Sequence, residues 1–212
     1  MRNQADLAGA PDVQPRIVSK AWVEGQVLNR LRTSVVLPWI IAVVGFPIGG
    51  LLAQTIAGPA ATVPAAIVSG LIAGAVIGLA QGIALWLRGR TLVLWVVATA
   101  VALAVALAAV TAVTGQPGTS ADAIVLGAVS GLLIGAAQAG LLRRAGIANA
   151  RVWVVVTGVA RAFGWLITAG VGVALAPGWP VYGASGALVS QLITAAALWW
   201  LVPSRGALSA AA

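Results

Sequence analysis

Two stretches, GLIAGAVIGLAQ from Gly70 to Gln81 and GAVSGLLIGAAQ from Gly127 to Gln138, carry one pattern 57 positions apart. Gly70, Gly74 and Gly78 recur as Gly127, Gly131 and Gly135, and Gln81 recurs as Gln138. Small residues at every fourth position leave one smooth stripe on an α-helix, along which a second backbone can come close. In lipid, helices are held together by such dispersion contacts rather than by the hydrophobic effect. The stripes therefore read as helix-packing surfaces of a membrane protein, with a permeation path lined by exposed backbone as the competing reading.

Working outward, Trp39-Ile-Ile, Trp95-Val-Val and Trp153-Val-Val open three further apolar segments at separations of 56 and 58. ALWW at Ala197 to Trp200 echoes ALWL at Ala84 to Leu87 after 113 positions, and Gly183 echoes Gly70. An internal repeat constrains the fold before any single element does. The expected architecture is all-α: six transmembrane helices as three tandem helical hairpin repeats, with a period of about 57 residues. Repeats of one orientation are related by an axis along the membrane normal.

Six apolar segments fit that plan, at Val35 to Ala57, Val63 to Leu87, Leu92 to Val113, Ala123 to Leu142, Val152 to Ala176 and Val181 to Val202. About 20 residues at about 1.5 Å each suffice to cross a hydrocarbon core of about 30 Å. Of the 212 residues 61% are hydrophobic and 8% charged, against roughly 25% charged in a soluble domain, so the solvent such a surface expects is lipid. Residues 1–34 read as a cytoplasmic tail, 35–202 as the six-helix domain and 203–212 as a second cytoplasmic tail. Within the first tail, Ser19 to Arg32 suits either an interfacial helix or a charged linker. A polar stretch with Asp6, Pro11, Asp12 and Pro15 precedes any apolar run, unlike a cleavable signal peptide.

The net charge of +8 raises nucleic acid as a partner, but the basic residues cluster beside alternate ends of the apolar segments. Arg2, Arg16, Lys20, Arg30 and Arg32, then Arg88 and Arg90, then Arg143, Arg144 and Arg151, and finally Arg205 fall on one side. The connections near Gly58 to Thr62, Gly115 to Asp122 and Pro177 to Pro180 hold no Lys or Arg. By the positive-inside rule both termini are cytoplasmic, and no nucleic acid is implied.

There is no cysteine and no histidine, and the carboxylates are only Asp6, Asp12, Glu24 and Asp122. Thiol and imidazole chemistry and the common metal-ligand sets are thereby excluded. No enzyme, metal site or cofactor is expected. Trp39, Trp86, Trp95, Trp153, Trp199 and Trp200 fall near the basic ends of their segments, and Trp179 and Tyr182 near the other side, which reads as an interfacial aromatic belt.

Arg161 is the sharpest candidate for function. It lies eight residues past Trp153, and its approximate counterparts one and two periods earlier are Ala104 and Pro47. A cation at the centre of a membrane helix costs roughly 2.5 to 3.5 kcal/mol on insertion scales. It either snorkels to the headgroups or faces the bundle and offers its donors to an anion or a lipid headgroup. Gln81, Gln138 and Gln191 lie inside even-numbered segments, as interhelical hydrogen bonds or as a polar ring with one glutamine per hairpin. Gln54 sits near the outer end of the first segment. Thr194 rather than Gln191 aligns with Gln81, which weakens the ring. Pro47, within Gly45 to Gly50, is expected to kink the first helix.

The run GxxxGxxQ followed by an Arg-rich turn, at Gly74 to Arg90 and Gly131 to Arg144, resembles repeats of uncharacterised multi-pass bacterial membrane proteins. Those read GxxxGxxQW with LRR soon after; here Gly82 and Ala139 replace the tryptophan. The resemblance implies a bacterial plasma-membrane protein and no activity. Mitochondrial carriers share the three-hairpin outline, but their P-x-[DE]-x-x-[KR] signature is absent. What remains is a structural or accessory subunit of a membrane assembly, bound to the bilayer and to a membrane-protein partner or a second copy. The alternative is a passive transporter, channel or lipid-handling protein holding an anionic lipid or small anion at Arg161.

Overall fold

A computed structural model describes residues 35–115, 119–147, 149–170 and 184–201. The expected tails, the interfacial segment before Val35, the Pro177 to Pro180 connection, Trp179, Tyr182 and Gly183 lie outside the described residues. All described elements are helices: α1 (Val35–Ala57), α2 (Val63–Ala84), α3 (Gly89–Thr114), α4 (Ser120–Arg144), α5 (Ala150–Gly170) and α6 (Ala184–Leu201). The first five are long and apolar enough to cross a membrane; α6 is the shortest, with 18 residues.

Helix boundaries follow local chemistry. Thr62 caps α2, its hydroxyl accepting from the Ala65 amide, with Pro64 in the first turn where a missing N–H costs nothing. Thr119 and Asp122 form a reciprocal capping box at the start of α4, each side chain accepting from the other's backbone amide at 3.1 and 3.0 Å. Gly58 and Gly115 end α1 and α3 at φ 71° and 70°, a conformation that costs glycine little.

Each helix packs on its neighbours in sequence, and α6 also meets α1, so the six helices close a ring. The most extensive pairings are α2 with α3 and α4 with α5. They lie across the arginine-bearing turns rather than within the expected hairpins. Glycine is the reason. A Cβ on Gly74 would stand 2.6 Å from Ala100 Cα, one on Gly78 3.1 Å from Val96 Cα, and one on Gly70 would collide with the Ala104 backbone. On α4, a Cβ on Gly131 would stand 2.5 Å from the Thr157 carbonyl oxygen and one on Gly135 2.9 Å from Val154 Cα, while one on Gly127 would strike Trp165. The α5–α6 seam has its own pair, Gly164 against Gly186, also too close for any Cβ.

α1 tightens to a 3-10 turn at Ala42–Val44 just before Pro47. Pro47 has no N–H for the Val43 carbonyl, and its ring crowds that carbonyl, so the expected disturbance takes the form of a tightened turn one step earlier.

The outward faces of the odd helices are apolar: Ile41, Val44 and Ile48 on α1, Val97, Val101 and Val105 on α3, Val155 and Val159 on α5. Trp86, Trp199 and Trp200 are exposed, as belt residues should be. Trp39, Trp95 and Trp153 are not. Each is at most 1% exposed, enclosed with Ala42, Ala84, Leu142, Ala150 and Leu198, so the expected anchoring role is corrected for these three.

Candidate functional site

The three enclosed tryptophans share a layer with the three glutamines. Gln138 Nε2 donates to Gln81 Oε1 at 3.1 Å and to Thr99 Oγ1 at 3.0 Å. Gln81 Nε2 donates to Gln191 Oε1 at 3.3 Å, and Gln191 Nε2 to the Trp39 carbonyl at 2.7 Å. Two indoles join in, Trp153 Nε1 donating to Gln138 Oε1 at 2.9 Å and Trp39 Nε1 to Thr194 Oγ1 at 3.0 Å. The rings of Trp39 and Trp153 meet edge to face at 5.7 Å, a favoured aromatic geometry. Residues from all six helices thus converge in one buried layer near the end of the bundle that carries Arg88, Arg90, Arg143 and Arg144.

Local sequence explains the acceptors. Thr99 and Thr157 follow Trp95 and Trp153 by four residues, and each hydroxyl donates back to its tryptophan's carbonyl, at 2.9 and 2.7 Å. The corresponding residue of α1 is Val43, which has no hydroxyl. The Trp39 carbonyl takes its extra bond from Gln191 instead. Gln191 itself stands 113 positions after Gly78, so a long amide occupies the place of a seam glycine. The indole N–H of Trp95 is buried without a partner, the exception to this pattern.

Arg161 lies elsewhere. It is half-buried, its Nε donating to Ser130 Oγ on α4 at 3.3 Å and its Cζ 5.2 Å from the centroid of the Phe46 ring on α1. Phe46 belongs to a second buried cluster with Ile77, Leu103, Ile134 and Ala187. The structure therefore brings Gln81, Gln138 and Gln191 together and keeps Arg161 apart from them. Gln54 is half-buried at the far end of α1 and belongs to neither group.

Sequence reasoning missed the bonds of Thr99 and Thr157 to their tryptophans, as well as Ser130 and the Gly164–Gly186 seam, and gave Thr194 only as the position that aligns with Gln81. The Trp-x-x-x-Thr spacing at Trp95–Thr99 and Trp153–Thr157 is the signal that could have revealed the first two. Comparison of the chain with protein-family models, curated proteins and solved structures finds no match.

Proposed function

We propose that this chain is a non-enzymatic, multi-pass plasma-membrane protein that serves as a structural or accessory subunit of a membrane assembly. The observation that carries the reading is the mutual satisfaction of Gln81, Gln138 and Gln191. Their amides are spent on one another and on Thr99, Trp39 and Trp153. Buried amides that bond between helices specify a packing arrangement; a conduit needs polar atoms turned toward its cargo.

In this proposal six helices span the bilayer, α6 included, as three hairpin repeats about an axis along the membrane normal, with both termini cytoplasmic. Support for the repeat comes from contact register. Gly70 meets Ala104 where Gly127 meets Arg161, and Gly74 meets Ala100 where Gly131 meets Thr157 and Gly158. The bilayer covers the valine stripes of α3 and α5, and a membrane-protein partner or a second copy takes one of these faces.

The test has two arms. Reconstituted vesicles should pass no ions or small solutes faster than empty ones. A photo-crosslinker at Val101 or Val159 in native membranes should yield one defined adduct from one face only. Solute flux that a Gln138 substitution alters would replace the accessory reading with a transport one.

A further inference from the structure

Arg161 is the one cation that the described structure turns into the bundle. In a ring of six helices α1 lies opposite α4, so a guanidinium that touches Ser130 of α4 and Phe46 of α1 reaches the middle of the bundle. Its Cα is eleven residues past Ala150, about 16 Å along the helix. Its contacts are Ser130 and Phe46, not the arginine-bearing turns.

Its pairing is incomplete. Of the five N–H donors of a guanidinium, Nε–H goes to Ser130, and the group's Cζ lies over the Phe46 ring. The two terminal amino groups have no hydrogen-bond acceptor among the described residues. Asp122, the only carboxylate among those residues, lies in the first turn of α4 and accepts from the Thr119 amide. A charge held in a low-dielectric interior needs a counter-charge, since leaving it alone costs several kcal/mol.

Two further polar groups, Ser69 Oγ on α2 and Thr111 Oγ1 on α3, are buried and unpaired, although helical hydroxyls readily bond the carbonyl four residues back, as Thr99, Thr114 and Thr157 do here. Ser69 lies in the second turn of α2 and Thr111 in the last turn of α3, at the ends of those helices away from the arginine turns. Buried polar groups are rarely left unpaired without a reason.

We propose that Arg161 is an oxyanion-binding residue that receives a phosphate-type group inside the bundle. The planar fork of the two terminal amino groups matches two oxygens of a phosphate. Ser130 fixes the fork by holding Nε, and Phe46 backs it. The phosphate belongs either to a lipid headgroup or to a free anion.

The full chain in a phosphate-free neutral detergent discriminates the two sources. Thermal unfolding is followed while adding phosphatidylglycerol or, separately, inorganic phosphate against chloride at matched ionic strength. One of the two should raise the midpoint saturably. Arg161→Leu should abolish that saturable shift, Arg161→Lys should weaken apparent affinity about tenfold because a point charge cannot reproduce the fork, and Ser130→Ala should weaken it a few-fold. Response to phosphatidylglycerol alone assigns a lipid headgroup, and response to phosphate alone a free anion. Should neither probe give a saturable shift, or should Arg161→Lys and Arg161→Leu bind as the parent does, the site is refuted. Arg161→Lys and Ser130→Ala keep the charge or the helix intact, so they decide the matter even if Arg161→Leu fails to fold.

Discussion

Trp153 donates its indole N–H to the side-chain oxygen of Gln138 at 2.9 Å across the tight α4–α5 seam. Trp39 repeats the relation with Thr194 at 3.0 Å across the α6–α1 seam. Thr194 is the residue that aligns with Gln138 one repeat later, so a tryptophan and its acceptor recur at equivalent places with different acceptor chemistry. At the α2–α3 seam the bond is missing: Gln81 Oε1 accepts from Gln138, and the Trp95 N–H is left alone.

That difference is measurable. Trp153→Phe removes a satisfied donor and orphans Gln138 Oε1, whereas Trp95→Phe removes an N–H that has no partner. The first should cost about 1 kcal/mol more than the second in reversible unfolding from mixed micelles. Equal costs would mean that the indole–amide bond contributes nothing.

Gln138 is the hub of the layer, donating twice and accepting once. Gln138→Leu should destabilise the bundle by about 1 to 3 kcal/mol, since interhelical bonds in membranes are individually modest but partners left buried add their desolvation cost. Gln54→Leu, outside the layer, should change stability by less than about 0.5 kcal/mol. The comparison uses the same unfolding assay.

Seam glycines should be intolerant in proportion to their clearance. Gly131→Ala would place a methyl 2.5 Å from the Thr157 carbonyl oxygen, and Gly74→Ala one 2.6 Å from Ala100 Cα, backbone atoms that cannot rotate away. Both should cost several kcal/mol or block folding. Gly140 lies on the same helix as Gly131 with nothing within 4 Å, so Gly140→Ala should be neutral or stabilise by up to about 1 kcal/mol through helix propensity. A mild effect at Gly131 would show that the seam can open.

Much of this was legible in the sequence. The apolar lengths give five of the helices, with α1 spanning Val35–Ala57 as read, and the four-residue glycine spacing gives the faces that meet α3 and α5. Trp39, Trp95 and Trp153 read as belt residues because a ring near a helix end satisfies two physical descriptions at once. An indole at the interface and an indole in a buried polar layer both pair an apolar body with a hydrogen-bonded tip. Only the partner distinguishes them, and Gln138 is 15 residues from Trp153, while Thr194 is 155 from Trp39. Spacing along one helix cannot announce a bond between two. Arg161 was conspicuous as a mid-helix charge, yet its neighbours Ser130 and Phe46 come from α4 and α1 and leave no trace in the local pattern.

The α6–α1 seam offers a test of the repeat itself. Gln191 occupies the place of Gly78 and supplies the Trp39 carbonyl with the donor that Thr99 and Thr157 supply to Trp95 and Trp153. Val43 is the α1 residue where that threonine would stand. Gln191→Ala removes the donor to Trp39 and the acceptor of Gln81, and should cost about 1 to 2 kcal/mol. Val43→Thr alone should be close to neutral, since its hydroxyl competes with Gln191 for one carbonyl. In the Gln191→Ala background the same substitution should recover about 0.5 to 1 kcal/mol, because the new hydroxyl can reach the carbonyl four residues back as its counterparts do. The coupling is read as a double-mutant cycle, with the two single costs set against the double. Strict additivity would mean that position 43 is not the equivalent of 99 and 157, and would remove the support that this seam gives to three related hairpins.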